Sequence, residues 1–183
     1  AHDCFATNID TNYEEKVGYI VKSSGKFMNK EGDKLVFDKN AIQINNSVPT
    51  VELVSSAKSK SVFGVLSNAN NNKIFVNSLG EGAMWISNIN GNLENGDYIC
   101  SSDIEGIGMR QDDDLLHNYT VAKITMDCDF DPKLVKNKTG SITDNGVNIE
   151  ETDEENYEYE TKTVEHNGQT YKMAFVGVTY HCG

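Results

Sequence analysis

A mostly β domain, compact and barrel- or sandwich-like, with long loops and little helix, is predicted by three features of the 183-residue sequence. Apolar residues come in short runs of strand length, such as Val62 to Leu66 and Met84 to Ile86. Glycine and asparagine punctuate those runs at the spacing of turns. No segment keeps a helical period for more than about two turns. Many short strands spaced in this way fit a barrel or a sandwich.

The elements follow in chain order. Residues 1–16 are polar and aperiodic and read as an N-terminal arm, leaving 17–183 as a single domain. Val17 to Val21 is a strand, Ser23-Ser24-Gly25 its turn, and a return strand begins at Lys26. Gly32-Asp33 marks the next turn, and Leu35 to Phe37 and Ile42 to Ile44 are short apolar pieces. Pro49 has no N–H to donate, which restricts its neighbourhood to an edge or a strand start. After the strand Val51 to Val54, Ser55 to Lys60 is polar and leaves room for a helical turn. Val62 to Leu66 is a strand with Gly64 at a bulge or a close contact. Asn68 to Asn72 reads as a loop tip, and Ile74 to Val76 starts another strand.

The central stretch, Leu79 to Phe130, alternates apolar runs and turns without low-complexity padding. Asn90-Gly91, Asn95-Gly96-Asp97 and Glu105-Gly106 predict turns between hairpin strands, since glycine reaches positive φ without steric cost. Thr120 to Met126 is one more strand. Asp131 to Ile149 reads as loop, and the acidic run Glu150 to Glu160 as an exposed loop held open by charge repulsion. Tyr157 to Val164 and Tyr171 to Tyr180 flank Asn167-Gly168 as a hairpin whose second strand is apolar enough to be central.

The net charge of −12 argues against nucleic acid and anionic membrane as partners, because both would be repelled. No run approaches the roughly 18 apolar residues of a membrane helix. Cys4, Cys100, Cys128 and Cys182 lack the paired spacing of a zinc site, so free, mostly buried thiols are expected, with bridges 4–182 or 128–182 open to an extracellular protein. Asp127, Asp129 and Asp131 imitate the start of a calcium loop. Pro132 then stands where that loop needs glycine and Lys138 where it needs glutamate, so no metal is expected. Asn45, Asn118 and Asn137 begin glycosylation triplets of the kind chance produces in an Asn-rich chain. The first residue, Ala1, fits a processed piece of a longer polypeptide as well as methionine excision or a trimmed boundary.

Four segments carry a resemblance: GYIVKSSGKF (18–27), KSVFGVLSNA (60–69), the run from Val76 to Phe130 that includes EGAMWISNINGNLENGDYICSSDIEGIGMRQDDDLLHNYTVAKITMDCDF, and the terminal FVGVTYHCG (175–183). Together they resemble the auto-proteolytic intramolecular-chaperone domain of peptidase family G2, found at the ends of phage neck and tail appendage proteins and of proteins from large DNA viruses. The likeness extends over nearly the whole chain from Val17. It implies a β-rich homotrimer that guides assembly of an upstream fibre segment of its own precursor, then cuts itself off at its N-terminal boundary in a single turnover. Ala1 would be the residue after the cut. It also implies a viral protein made in host cytoplasm, its precursor part of the virion. Phage members are described as binding ATP, but this sequence has no glycine-rich loop with a lysine, so no cofactor is expected.

The family motif Asp-Tyr-Ala-Glu is replaced here by Asp3-Cys4-Phe5-Ala6. Asp3 stands in for the aspartate, and Ala6 occupies the place of the glutamate. Cleavage by two carboxylates needs one ionised to activate water and one protonated to assist the leaving amine, a division that crowding two acids produces. Asp3, with Asp10 as an alternative at different spacing, and Asp112, Asp113 and Asp114 from a neighbouring copy are the candidate acids. Glu14 and Glu15 read as solvated acids of the arm. His2 lies within reach of the boundary and titrates near neutrality, though it also reads as a tethered polar side chain. Asp112 to Asp114 alternatively begin a helix, with acids at its positive end. Trp85 and the tyrosines suit either core packing or a sugar platform. The reading from another class is a non-catalytic trimeric structural or receptor-binding tip of a viral fibre.

Overall fold

The computed structural model describes residues 2–8, 10–31, 34–37, 44, 47–70 and 73–183. Strand accounts for 61% of it, and no helix reaches seven residues, so the mostly β expectation is met. The first sheet contains β1 (His2–Ala6), β2 (Ile20–Glu31), β3 (Lys34–Phe37), β4 (Ser47–Leu53), β5 (Val62–Asn70) and β6 (Lys73–Asn77). Its order β2-β4-β1-β6-β5 closes through a β2–β5 pairing into a five-stranded barrel, with β3 attached outside β2. The second sheet contains β7 (Leu79–Ser87), β8 (Tyr98–Ser101), β9 (Gly108–Arg110), β10 (Thr120–Ile124), β13 (Thr161–His166) and β14 (Gln169–His181). Its order β10-β8-β9-β7-β14 also closes, through β10–β14, with β13 attached outside β14. Between β10 and β13 in sequence, β11 (Leu134–Thr143) and β12 (Gly146–Tyr157) form a two-stranded hairpin of their own.

The two rings share a wall. Side chains alternate across a strand, and in this wall both faces are buried: Val21, Leu53 and Leu66 enter the first core, while their neighbours Ile20, Val54 and Val65 enter the second. That is why these runs are continuously apolar instead of alternating with polar residues. The backbone joins the rings as well, with Ile20 N donating to Gly106 O at 2.7 Å and Trp85 N to Gly18 O at 2.9 Å. A third cluster covers the outside of the second ring, where Trp85, buried, stacks on Phe175 at 5.3 Å. Core packing is therefore the fate of Trp85. Gly64 combines both expected roles. The β2–β5 register shifts beside it, and a Cβ there would stand 2.6 Å from Val76 Cγ1.

Several expected elements differ. Residues 2–6, read as part of an arm, form β1, paired in parallel with β4 and antiparallel with β6, and Tyr13 is buried in a 3₁₀ turn. Ser23-Ser24-Gly25 is not a turn. β2 runs through it, and a register shift between Ser23 and Phe27, with Gly25 at φ 87°, absorbs the change of direction. The Gly32-Asp33 turn falls outside the described residues, but Glu31 and Lys34 on either side of it pair. Residues 42 and 43 also fall outside. β5 extends to Asn70, shortening the expected loop tip. Asn90-Gly91 ends a 3₁₀ turn (Asn88–Asn90) and makes no hairpin, because β9 pairs with β7 in the place expected for β8. The loop expected over 131–149 and the acidic run after it are β11 and β12, exposed as expected but extended and paired. The Asn167-Gly168 hairpin is as expected, with both residues at positive φ and β14 paired to β13, β7 and β10.

Among the described residues, no helix is long and apolar enough to cross a membrane. Cys4, Cys100 and Cys128 are buried and Cys182 half-buried, all four as free thiols. Burial pushes Cys4 and Cys100 up to about 11 and Cys182 up to about 12, which keeps them protonated and poorly nucleophilic at neutral pH.

Candidate functional site

The candidate acids fall into two groups on different rings. β1 positions the first. Cys4 points into the first core and pins the strand, so its neighbours His2 and Phe5 are fixed by register against Val76 and Lys73. The His2 ring is exposed and stacks on Phe63 at 5.2 Å. Asp3 is half-buried, 3.6 Å from Lys73 Nζ. Asp10 is exposed, its N–H donating to Asn8 Oδ1 at 3.0 Å. Ala1, the expected cleavage boundary, lies outside the described residues.

The second group follows β9. Asp112 to Asp114 do not begin a helix; they form successive bends. The reason is a buried glutamine. Gln111 Nε2 donates to Asp113 Oδ1 at 2.9 Å and to Leu115 O at 2.7 Å, while Gln111 Oε1 accepts from Thr120 Oγ1 at 2.6 Å. The circuit continues through Asp113, whose carboxylate lies 2.9 Å from His117 Nε2, and closes where His117 N donates to Thr120 Oγ1 at 3.0 Å. His117 also stacks on Tyr119 at 4.5 Å. Asp112 receives Lys58 Nζ and Asn90 Nδ2, each at 2.7 Å. Asp114 is exposed.

These partners decide the charge states. The hydrogen bonds from Lys58 and Asn90 hold the Asp112 carboxyl below its ordinary range, and those from His117 and the Leu115 amide do the same for Asp113. Asp129 is lowered too, by the Asp131 amide first and then the Tyr159 hydroxyl. A general acid at neutral pH needs the opposite shift. Asp112 and Asp113 are therefore equipped as ionised groups that stabilise positive charge or orient water, and not as proton donors. Within one chain, the structure brings Asp112 and Asp113 together with Lys58, Asn90 and His117, and keeps them on a different ring from His2 and Asp3.

No known protein family, curated protein or solved structure matches this chain.

The sequence reading missed Gln111, Thr120, Lys58 and Asn90. Their only signal is a polar residue, Gln111, directly after the strand residues Met109 and Arg110, which by itself reads as loop. The aspartates of the calcium-like spacing serve separate turns. Asp127 Oδ1 accepts from Asn95 N at 2.8 Å, Asp129 Oδ1 accepts from Asp131 N and Tyr159 Oη, and Asp131 pairs with Lys133 at 2.8 Å.

Two expected results follow. Replacing Gln111 by leucine leaves the Leu115 carbonyl and Thr120 hydroxyl without their partner, which costs about 1–3 kcal/mol. Urea unfolding measures the loss, and hydrogen exchange at Leu115 and His117 should accelerate more than in the core strands. A second result concerns pH. A carboxyl whose folded value is depressed contributes stability that is complete above its unfolded value and disappears as pH falls through the folded one. Protection of the Leu115 amide, bonded to Asp113 Oδ1 at 3.1 Å, should thus hold down to the ordinary carboxylate range and fall below it. Protection that declined already between pH 7 and 5 would contradict the assignment.

Proposed function

We propose that this chain is the C-terminal intramolecular chaperone of a viral fibre or appendage protein, driving trimeric assembly of the upstream segment of its own precursor and releasing itself by one autoproteolytic cut before Ala1. The reading rests on the sequence resemblance, and the observation that supports it most is β1. A chain arriving from upstream runs directly into a strand of the closed barrel, paired on both sides and pinned by the buried Cys4. The pairing of β1 with both neighbours exists only when the barrel has formed, which would make a cut next to it conditional on folding. Asp3 and His2 sit on that strand, with Asp10 beyond it. Asp112, Asp113 and Asp114 belong to the other ring, so a site joining both groups calls for a neighbouring copy. In that arrangement Asp112 or Asp113 would be the ionised member, brought by the neighbouring copy to Asp3 and His2 on β1. Synthesis in host cytoplasm and incorporation of the precursor into a virion go with this role. The charge of −12 disfavours nucleic acid and anionic membrane as further partners.

A second reading, a non-catalytic trimeric structural or receptor-binding tip, is favoured by a specific observation: Asp112, in an ion pair with Lys58, and Asp113, hydrogen-bonded to His117, both have lowered values, and Ala6 stands where the family glutamate would be. Expression of a precursor extended upstream of Ala1 by its natural sequence, followed by intact mass, separates the two. The chaperone reading expects a 20.3 kDa fragment starting at Ala1 and its loss in Asp3→Ala or His2→Ala. A folded, uncut precursor trimer would leave the structural tip as the function.

A further inference from the structure

The loop over 111–120 presents an imidazole and an ammonium, and its carboxylates hold them. Every oxygen of the two central acids is engaged: Asp112 takes Asn90 on one and Lys58 on the other, and Asp113 takes Gln111, the Leu115 amide and His117. His117 is fixed from three sides. Nε2 lies 3.0 and 2.9 Å from the two Asp113 oxygens, the ring stacks on Tyr119, and the backbone N–H donates to Thr120 Oγ1. An ionised carboxylate only accepts, so Nε2 carries the proton and Nδ1 keeps the lone pair. The side chain is 30% exposed, and Nδ1 has no partner among the described residues. A surface ion pair contributes little to stability and needs no such framework. An imidazole with one nitrogen oriented by a carboxylate and the other open is the arrangement of a general base. Lys58 is close by. It adopts the left-handed conformation, φ 51°, that non-glycine residues seldom take, and its amide donates to Ser101 O at 3.1 Å. Asp112 accepts one of its three ammonium hydrogens and leaves the others open. Tyr119, the ring stacked on His117, lies within electrostatic reach of Lys58 and of both aspartates, so base and cation border one surface.

We infer that His117 is the general base of the proposed cut and Lys58 the cation facing its oxyanion, both offered to the bond before Ala1 of a neighbouring copy. The inference rests on the autoproteolytic reading and supplies a proton acceptor that the fully engaged aspartates do not. The nucleophile is water. Thr120 Oγ1 is spent on Gln111 Oε1 at 2.6 Å, and its strand partner Cys100 stays a thiol, pushed up to about 11 by burial. The water oxygen bonds to the scissile carbonyl carbon while its proton passes to His117 Nδ1, and Asp113 stabilises the resulting imidazolium through Nε2. Negative charge gathers on the carbonyl oxygen, opposite the Lys58 ammonium. Collapse breaks the C–N bond, and the imidazolium gives its proton to the leaving nitrogen, which becomes the amine of Ala1. The upstream part keeps the new carboxyl group, one water is consumed, and His117 ends as it began. Asp113 and Gln111 act through the imidazole and are positioning residues.

The precursor extended upstream of Ala1 tests it, with release of the fragment followed by intact mass over time. His117→Gln keeps an amide donor toward Asp113 but offers no base, and should slow the cut on the order of a hundredfold or more with Trp85 emission unchanged. Lys58→Met should slow it by about a hundredfold. His117→Ala should regain cutting when imidazole is added, a response that a merely structural role does not produce. In assemblies mixed from His117→Ala and Asp3→Ala precursors, the released fragment should have the mass of the His117→Ala chain alone. Only that chain joins an intact β1 to the intact His117 of a neighbour. A parental rate in His117→Gln or Lys58→Met would overturn that residue's role while leaving autoproteolysis in place. So would a slowed His117→Ala precursor that neither imidazole nor mixing restores. A parent that folds and stays uncut would overturn the autoproteolytic reading itself, and the two assignments with it.

Discussion

Replacing Ile20 by alanine is expected to destabilise the whole protein by about 2–5 kcal/mol, the range for a fully buried large-to-small change, and to leave both rings melting in one transition. Ile20 is fully buried in the second core although it belongs to a strand of the first ring, and its backbone bonds Gly106 through N–H and Val54 through C=O. The cavity left by truncation therefore lies in the shared wall, where neither core can collapse into it without moving β2 or β5. Urea unfolding followed by Trp85 emission for the second ring, and by resolved amide signals of Cys4 and Val51 for the first, should give one midpoint, lowered equally for both. Ile142→Ala on the projecting hairpin should change that midpoint by less than about 0.5 kcal/mol, since that side chain packs on neither ring. Separate midpoints for the two probes would show that the wall does not couple the rings.

The shared wall also explains what was legible in the sequence. Val51 to Val54, Val62 to Leu66 and Met84 to Ile86 stand out because burial on one face or both forces apolar residues into them. The Asn167-Gly168 hairpin stands out because its turn requires positive φ at both residues. The strands that escaped notice lack those constraints. In β1 only Cys4 is fully buried, and its partners β4 and β6 lie more than forty residues away, so nothing local announces a strand. β11 and β12 bury no core at all, and their pairing depends on a ladder that hydrophobic periodicity does not record. The candidate acids divide in the same way. Asp112 to Asp114 were visible as a cluster, but the lowered values of Asp112 and Asp113 depend on Lys58 and His117, one of which arrives from 54 residues upstream. Gln111, which decides the path of the loop, differs from any surface glutamine only by being 4% exposed.

Gly18→Ala should cost about 2–6 kcal/mol, from two separable sources. Gly18 has φ 90°, a region in which a side chain is strained by about 1–3 kcal/mol. It also touches the second ring, where an added Cβ would lie 2.8 Å from Trp85 Cδ1. Trp85 cannot give way cheaply, because Phe175 stacks on one side of it and Lys162 Nζ sits 4.6 Å from its centroid. Overpacking there adds about 1–3 kcal/mol. The backbone offers no relief, since Gly18 N donates to Leu66 O at 2.8 Å and its carbonyl accepts from Trp85 N, tying it to both rings. Gly25→Ala isolates the first source: its φ is 87°, but nothing lies within 4 Å of the added carbon. At 2–4 °C per kcal/mol for a protein of this size, Gly18→Ala should lower Tm by roughly 4–24 °C and shift Trp85 emission. Gly25→Ala should lower Tm by about half as much and leave that emission unchanged. Equal losses in the two variants, with unaltered Trp85 emission in both, would mean that the packing of Gly18 against the indole contributes nothing and that the rings are held at the wall alone.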